Sequence, residues 1–221
     1  NKRPGQVVHA DESDDIHTLI NHIQAYLYQK HEWNPRWENA FAPALCNRID
    51  RNTGGMVIAA KTAEALRIMN EKIRNREILK YYLCITLGRP SPAAGTLKNY
   101  LLKDESKKQV YVYNVPKSGA KTAVTYYKTL QSRGELSLVE CELLTGRTHQ
   151  IRAQFAAAGH PLLGDGKYGI GETNRRYGME KQALYSYKLI CDFKTDAGIL
   201  NYLKGKTFEV KNIPFLQEYF S

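Results

Sequence analysis

The sequence lacks the patterns that mark several other classes of protein. No apolar run approaches the roughly 18 residues that a membrane-spanning helix needs. The six histidines show no HExxH or similar ligand spacing, so no metal site is predicted. Neither an internal repeat nor a low-complexity tract interrupts the chain. With 43% hydrophobic and 24% charged residues, the 221-residue chain is predicted to fold around a core of its own.

Cysteine is scarce and widely spaced. No two cysteines form a CxxC pair, so we expect reduced thiols, mostly in the core of a cytosolic protein. The chain begins with Asn1 and shows no signal-peptide pattern. It therefore resembles the interior of a longer protein, and we expect a truncated N-terminus and a cytoplasmic location. The four cysteines are Cys46, Cys84, Cys141 and Cys191.

Basic residues are in excess, and the excess is concentrated in one region. The chain has 32 Lys and Arg against 22 Asp and Glu, a net charge of +10. Residues 61–133 hold 15 basic and 5 acidic side chains, which is itself a net +10. Such a localised excess favours a surface aimed at a polyanion. From charge alone, a solubilising surface explains it equally well.

Hydrophobic spacing predicts helices and strands along the chain. Helices are predicted at 14–30, capped by Ser13 or Asp14, at 62–76, and at 148–158, ending at Gly159. Strand pairs without regular βαβ alternation indicate an α+β fold with a mixed, largely antiparallel central sheet flanked by helices. We expect one catalytic domain over residues 1–221, with a loop at 164–182. Strands are predicted at 56–60, 77–87, 108–115, 121–131, 135–144, 183–191 and 206–210.

One strand contains an irregularity. The alternation of apolar and polar residues in 135–144 slips between Leu138 and Val139. A slip of this kind is typical of a β-bulge, so we expect one at this step.

The first segment with chemical potential is Asn47-Arg48-Ile49-Asp50-Arg51-Asn52-Thr53-Gly54-Gly55. Asp50 lies between two arginines in a glycine-containing loop. Neighbouring cations favour the ionised carboxylate, which can act as a nucleophile or an electrostatic stabiliser. Taken alone, the segment fits a turn aspartate in a surface ion pair better.

Two further segments carry polar groups in suggestive positions. Residues 144–152, with the sequence LTGRTHQIR, lead from a strand through a glycine into a helix, and their donors suit phosphate or a carboxylate. Helix capping is the alternative.

Residues 80–88 place Tyr81 and Tyr82 next to each other on a strand, so that they point to opposite faces. One tyrosine can stack on a base and transfer a proton, although two packing tyrosines are the more common arrangement.

In this order and spacing, the three segments resemble the RluA-type family of RNA pseudouridine synthases. That family has His-Arg-Leu-Asp followed by Thr-Ser-Gly, then a Lys-x-Tyr strand ending in Gly, then Thr-Gly-Arg-Thr-His-Gln-Ile-Arg. The last motif is matched letter for letter at 145–152, and the Gly-His-Pro-x-x-Gly-Asp-x-x-Tyr-Gly that follows it is matched at 159–169. The opening Asn-Lys-x-Pro-Gly resembles a strand end of the family. Asn47 and Gly54 depart from the family, which has His and Ser at these positions.

The resemblance implies a reaction and a set of residues. The reaction isomerises uridine to pseudouridine in an active-site cleft and needs no cofactor. Asp50 aligns with the nucleophile, Arg152 with the cation that keeps it ionised, and Tyr82 with the residue that stacks on the base and moves a proton. Ile151 aligns with an apolar residue beneath the uracil, and Arg48 is placed to fill the space of the flipped base or to hold a phosphate. Further substrate contacts are expected from Arg147, Thr148, His149 and Gln150.

The expected partner is RNA, with large-subunit rRNA favoured over tRNA by the resemblance. The enzyme is expected to be a monomer that binds no membrane and no metal. A non-catalytic RNA-binding or ribosome-assembly protein predicts the same basic surface without a need for Asp50. A hydrolase using Asp50 is a further alternative, but glycoside hydrolysis normally needs two flanking carboxylates. The only acid in the later motif, Asp165, is expected to be a turn residue.

Overall fold

The computed structural model describes residues 1–9, 17–37 and 40–220. The chain groups into two compact units, which are described separately. The first unit comprises Asn1–Ile78 and Leu189–Phe208, and the second comprises Leu79–Lys188 and Glu209–Ser221. That the two act as one catalytic domain stays a prediction.

Among its described residues, the first unit contains two α-helices, three two-residue strands and a 3-10 helix. The predicted strand at 56–60 is reduced to a two-residue strand, which pairs antiparallel with Ala44–Leu45. The elements are β1 (Ala44–Leu45), β2 (Gly54–Gly55), β3 (Ala59–Ala60), α1 (Leu19–Gln29), α2 (Ala63–Arg74) and the 3-10 helix Gly198–Leu203.

The first helix begins later than its hydrophobic spacing predicts. It starts at Leu19, because Thr18 has an extended backbone and its hydroxyl accepts a hydrogen bond from Asn21 N. The predicted caps, Ser13 and Asp14, lie outside the described residues. The second helix is confirmed, with Thr62 as its N-cap.

A buried ion pair ties the end of α2 to a distant segment of the same unit. Lys72 Nζ donates to Glu77 Oε2 at 2.8 Å and to the carbonyl and hydroxyl of Thr195 at 2.8 and 2.6 Å. The hydrogen bond from Lys72 outweighs burial and holds the pKa of Glu77 at about 2. These bonds fix residues 72–77 against residues around 195, far away in the sequence.

The second unit contains a sheet whose strands follow the order β9-β4-β8-β7-β5-β6. The β4–β8, β8–β7, β7–β5 and β5–β6 pairs are all antiparallel. The predicted α+β class with a largely antiparallel sheet is therefore confirmed. The strands are β4 (Ile78–Leu87), β5 (Ala94–Asp104), β6 (Gln109–Tyr113), β7 (Lys121–Arg133), β8 (Leu136–Leu143) and β9 (Leu184–Cys191), with the short β10 (Thr207–Glu209) next to β9.

The β-bulge that was predicted between Leu138 and Val139 of β8 lies in the partner strand β7, directly opposite these two residues. Thr129 lies opposite Val139 and Gln131 lies opposite Leu138, so the extra residue is Leu130 of β7. Leu138 and Val139 are both buried. Their consecutive apolar side chains thus reflect a strand covered on both faces, opposite a bulge in its partner.

Helix α3 (Gln150–Ala157) covers one face of the sheet, here called the α3 face. Tyr82 lies opposite Cys141, which lies opposite Tyr127, so these three side chains share a face. Phe155 of α3 packs edge-on against Tyr127 with 5.6 Å between ring centroids. Tyr82 therefore points to the same side of the sheet as α3. The helix ends as predicted, since Gly159 follows it with a φ of +83°.

The opposite face of the sheet is called the α5 face. Over β4 and β8 it carries Leu83, Ile85 and Leu138, which form one cluster with Phe215. Phe215 belongs to α5 (Pro214–Tyr219). This helix was not predicted, and neither was α4 (Gly171–Arg176), which lies in the expected loop at 164–182. Both have six residues, too few to produce a hydrophobic period.

Candidate active site

In the first unit, Asp50 lies in a tight turn between β1 and β2. Thr53 N donates to the Asp50 carbonyl at 3.0 Å. The side chains of Ile49 and Thr53 are buried, whereas Asp50 is half-buried and Arg48 is exposed. The buried neighbours fix the turn, while Asp50 itself is only half-buried.

Lys2 supports this turn, although the sequence analysis gave it no role. Its ammonium donates to the carbonyls of Arg51, Gln6 and Arg3 at 2.8, 3.0 and 3.1 Å. Burial lowers the pKa of Lys2 to about 8, and the negative charge of Asp50 opposes that shift. Lys2 is thus a buried cation that holds the backbone next to Asp50 and interacts with its charge. The sequence signal that pointed to Lys2 was the opening Asn-Lys-x-Pro-Gly, which resembles a strand end of the family.

Asn47 and Gly54 have structural roles in the same loop. Asn47 Oδ1 accepts a hydrogen bond from Ile58 N at 2.7 Å, and Cys46 N donates to the Ile58 carbonyl at 2.8 Å. Asn47 therefore holds the two sides of the Asp50 loop together. Gly54 is buried in β2. The departures from the family pattern leave the loop well bonded.

In the second unit, Gln150 organises the turn that precedes α3. Its amide nitrogen donates to the Val124 carbonyl and the Thr125 hydroxyl at 3.1 and 2.9 Å. Its amide oxygen accepts from the Thr145 hydroxyl and from Arg147 N at 2.8 and 3.0 Å. With both amide hydrogens and the oxygen engaged inside the fold, Gln150 shapes the turn.

The neighbouring side chains of the octapeptide differ in exposure. Arg147 is exposed and its Nε donates to the Thr122 carbonyl at 3.0 Å, and Thr148 is also exposed. His149 is the N-cap residue with a φ of +52°, a left-handed conformation. Its Nδ1 lies 2.8 Å from the Tyr168 hydroxyl. The turn thus presents Arg147 and Thr148 outward and ties His149 inward.

Arg152 and Asp165 form a bidentate pair inside the second unit. Nε and Nη2 of Arg152 donate to the two carboxylate oxygens at 2.7 and 2.9 Å. Burial raises the pKa of Asp165, but the hydrogen bonds and charge of Arg152 and the amides of Lys167 and Tyr168 outweigh it, so the pKa is lowered. Asp165 is the expected turn residue, since it accepts from both amides. It is also the carboxylate that orients Arg152, which the sequence did not indicate.

Two glycines of the matched motif are required by close backbone contacts. A Cβ at Gly164, whose φ is +76°, would lie 2.1 Å from the Lys181 carbonyl oxygen. A Cβ at Gly169 would lie 2.3 Å from the Asp165 carbonyl oxygen. The Gly-Asp-x-x-Tyr-Gly pattern therefore specifies a compact turn, which places Asp165 against Arg152.

Tyr82 and Ile151 are both buried on the α3 side of the sheet. Tyr82 is 6% exposed on β4 and Ile151 is 3% exposed on α3. Tyr81, which precedes Tyr82 on β4, points to the α5 face, where Lys188 Nζ lies 4.4 Å from the centroid of the Tyr81 ring. The expectation that the two tyrosines point to opposite faces is confirmed. Tyr82, Ile151 and Arg152 are thereby brought to one side of the sheet.

All four cysteines are free thiols. Cys84, Cys141 and Cys191 are buried free thiols and Cys46 is a half-buried one. Within residues 1–9, 17–37 and 40–220, no group of three or more His, Cys, Asp or Glu side chains is arranged to hold a metal ion. None of the described helices is long and apolar enough to cross a membrane.

The matches reported below are all described as pseudouridine or pseudouridylate synthases. A family model described as RNA pseudouridylate synthase matches residues 1–157. An uncharacterized RNA pseudouridine synthase, YhcT of Bacillus subtilis, is 34% identical over 194 residues, which cover 86% of this chain and 59% of the relative. Ribosomal large subunit pseudouridine synthase D of Borreliella burgdorferi is 30% identical over 193 residues, which cover 87% and 57%. This chain thus spans less than two thirds of the length of these relatives.

Solved structures share the fold. The human RNA pseudouridylate synthase domain containing 4 superposes with a TM-score of 0.74 at 23% identity, covering 98% of this chain and 85% of that one. The human RNA pseudouridylate synthase domain containing 1 gives a TM-score of 0.63 at 18% identity, covering 96% and 93%. At these identities the likeness concerns the fold alone.

Proposed function

Because the chain belongs to the RNA pseudouridylate synthase family, we propose that it isomerises uridine to pseudouridine in structured RNA. The reaction breaks the N1–C1′ bond, turns the uracil and rejoins it through C5. Reactant and product are isomers, so the step needs neither a cofactor nor an energy source. The observation that carries the proposal is the family match over residues 1–157, which includes the three aligned positions Asp50, Tyr82 and Arg152.

We assign the nucleophile to Asp50 and the supporting cation to Arg152. The carboxylate attacks C1′ or adds to the uracil ring. Within its own unit the guanidinium of Arg152 is oriented by two hydrogen bonds to Asp165. Lys2 adds a further positive charge near Asp50.

The base is assigned to Tyr82 and Ile151. Tyr82 stacks on the uracil and accepts or returns the proton that moves during the rearrangement. Ile151 packs beneath the ring. Their placement on the same side of the sheet supports this pairing. Arg48, which is exposed, fills the space of the flipped base or holds a phosphate.

The remaining residues of the octapeptide divide between binding and positioning. Arg147 and Thr148 are exposed and are assigned to the RNA backbone. Gln150 and His149 hold the turn through their contacts with Thr145 and Tyr168, and we propose that they act on the substrate by fixing this turn.

We propose large-subunit rRNA as the substrate, since two relatives at 30 and 31% identity are named ribosomal large subunit pseudouridine synthase D. A monomer acting in the cytoplasm is proposed with it. The test is a transcriptome-wide map of pseudouridine, by chemical labelling and primer extension, in cells with and without this gene. Loss of a site in large-subunit rRNA, restored by the gene, is the expected result. Loss confined to tRNA would overturn the substrate assignment, and loss of no site would overturn the activity.

A further inference from the structure

The α5 face of the sheet changes character between its two halves. Over β4 and β8 it is largely covered by the apolar cluster that includes Phe215, and it also carries Glu140 and Glu142 of β8. Over β5, β6 and β7 the same face carries tyrosines and lysines. The pairing of the strands shows which side chains share this face. Tyr126 lies opposite both Thr96 and Glu142, and Tyr100 lies opposite Tyr113.

Alternation along the strands extends this set. On β5 the side chains that share the face of Thr96 are Lys98, Tyr100 and Leu102, and Leu102 lies opposite Tyr111. On β7, Lys128 follows Tyr126 on the same face. The side chains that define this surface, here called the tyrosine face, are Lys98, Tyr100, Tyr111, Tyr113, Tyr126 and Lys128.

The tyrosine face is accessible within its unit. Tyr126 is 45% exposed, Lys98 and Lys128 are exposed, and the other three tyrosines are half-buried. Thr96 and Leu102 are six residues apart on β5, so the tyrosines extend over about 20 Å. That length suits two or three stacked bases, the number that a sheet of this kind holds in single-stranded RNA-binding domains.

The charge of the surrounding strands favours a polyanion. Residues 94–133 contain eight basic and two acidic side chains. Both acidic side chains are engaged locally: Asp104 accepts from the Ser106 hydroxyl and Lys107 N, and Glu105 pairs with Lys103.

One tyrosine of the face already holds a cation. Lys117 Nζ lies 4.0 Å from the ring centroid of Tyr113 and donates to its hydroxyl at 2.9 Å. Two glutamates of β8 adjoin this surface: Glu140 lies opposite Lys128 and Glu142 lies opposite Tyr126. Glu140 pairs with Lys188 at 3.2 Å. The surface over β5, β6 and β7 therefore combines aromatic rings with a net positive charge.

We propose that the tyrosine face binds single-stranded RNA, with bases stacked on the tyrosines and phosphates held by Lys98 and Lys128. Aromatic stacking and lysine contacts to phosphate are the two interactions that hold single strands without sequence preference. A protein partner fits less well, because lysine is depleted in the centres of protein interfaces. This proposal rests on RNA being the substrate. It adds a second contact surface, on the opposite side of the sheet from Tyr82 and α3.

The surface would bind a single-stranded segment next to the structured target. A substrate that carries such a segment would then bind more tightly, with little change in the isomerisation step. The expected signature is a change in KM, with kcat unaffected.

The test uses a fluorescent 12-nucleotide oligocytidylate, which contains no uridine, so that binding is measured independently of isomerisation. In the full chain, Tyr111→Leu combined with Tyr126→Leu is expected to weaken binding at least about 25-fold, since each lost stack costs about five-fold or more. The Tyr111→Phe, Tyr126→Phe variant keeps the rings and should bind within about two-fold of wild type. Tyr28→Leu with Tyr202→Leu, two exposed tyrosines of the first unit, is the matched control and should have no effect.

Charge is tested by salt dependence. Lys98→Gln and Lys128→Gln are each expected to lower the slope of log affinity against log salt by about 0.7. Lys204→Gln, an exposed lysine of the first unit, should leave the slope unchanged. Thermal melting establishes that each variant is folded.

Three results would overturn the proposal. These are unchanged oligocytidylate binding by the folded Tyr→Leu variant, equal weakening by the control variant, or a change in oligomeric state in place of a change in RNA affinity. A chain that binds the oligomer through this face but converts no uridine would contradict the proposed activity alone. The two claims therefore fail separately.

Discussion

Asp165 holds the guanidinium of Arg152 through two hydrogen bonds, 2.7 Å from Nε and 2.9 Å from Nη2, with both side chains buried. The carboxylate is in turn fixed by the amides of Lys167 and Tyr168. The orientation of the cation proposed to serve Asp50 is therefore set by a turn just past the end of α3.

The first prediction concerns this pair. Asp165→Asn removes the negative charge and with it the bidentate ion pair to the buried Arg152 guanidinium. We expect a loss of about 3 kcal/mol in the free energy of unfolding and a fall in kcat of about ten-fold or more, with a smaller change in KM. Denaturant unfolding and steady-state kinetics measure both.

The pH dependence gives a second readout for the same variant. Because the pKa of Asp165 is lowered in the folded protein, its contribution to stability is present above the pKa of the unfolded chain and is lost as pH falls through the folded value. Asp165→Asn should lack this acid-dependent component. Asp192→Asn, which breaks an exposed pair with Lys194, is the control and should change stability by at most about 0.5 kcal/mol. An unchanged kcat in Asp165→Asn would contradict the positioning role.

The second prediction concerns Lys2. Its pKa is lowered to about 8 from an ordinary value of 10.5, so the folded protein releases this proton at a lower pH than the unfolded chain. Between pH 8 and 10.5 the unfolded state binds more protons, and the contribution of Lys2 to stability therefore rises with pH. Lys2→Met is expected to remove that component of the rise.

The measurement is denaturant unfolding at several pH values from 7 to 10.5. Lys204→Met, at an exposed lysine, should keep the wild-type pH dependence. If Lys2→Met also keeps it, then the ammonium of Lys2 is not the desolvated cation that the structure shows beside the Asp50 turn.

The third prediction concerns the turn that carries Asp165. Gly164→Ala combines a left-handed backbone with a Cβ 2.1 Å from the Lys181 carbonyl oxygen, and should cost about 3 kcal/mol or more of stability. Gly178→Ala has a similar φ of +64° but meets no atom within 4 Å, so only the backbone strain of about 1 kcal/mol is expected. Equal melting temperatures for the two variants would show that the close contact is not a constraint.

The sequence predicted most of the longer elements, although the 11-residue β5 (Ala94–Asp104) is absent from the predicted strands, and it predicted the short elements poorly. Helix α2 was predicted because its apolar residues recur at helical spacing, and the structure adds Thr62 as its N-cap. The six-residue α4 and α5 were missed because so few residues produce no period. The bulge was assigned to the wrong strand, because a slip in one strand's pattern does not reveal which partner carries the extra residue.

The candidate site was likewise predicted only in part. The motifs identified Asp50, Tyr82 and Arg152 as candidates, and the family match bears out the resemblance on which they rest. The contacts of Lys2 and the pairing of Asp165 with Arg152 were missed. Both depend on which distant backbone or side-chain oxygen the fold brings within hydrogen-bonding distance, and no residue spacing specifies that.

The assignment of Asp50 as the nucleophile is tested most directly by replacing its carboxylate. Asp50→Asn preserves the size of the side chain and removes its charge. Purified wild type and variant should be incubated with rRNA from cells lacking the gene, and pseudouridine detected by chemical labelling and primer extension, with RNA affinity measured in parallel. We predict conversion by the wild type, none by Asp50→Asn, and equal RNA binding by both. Pseudouridine formation by the variant at the wild-type rate would show that Asp50 is not the nucleophile.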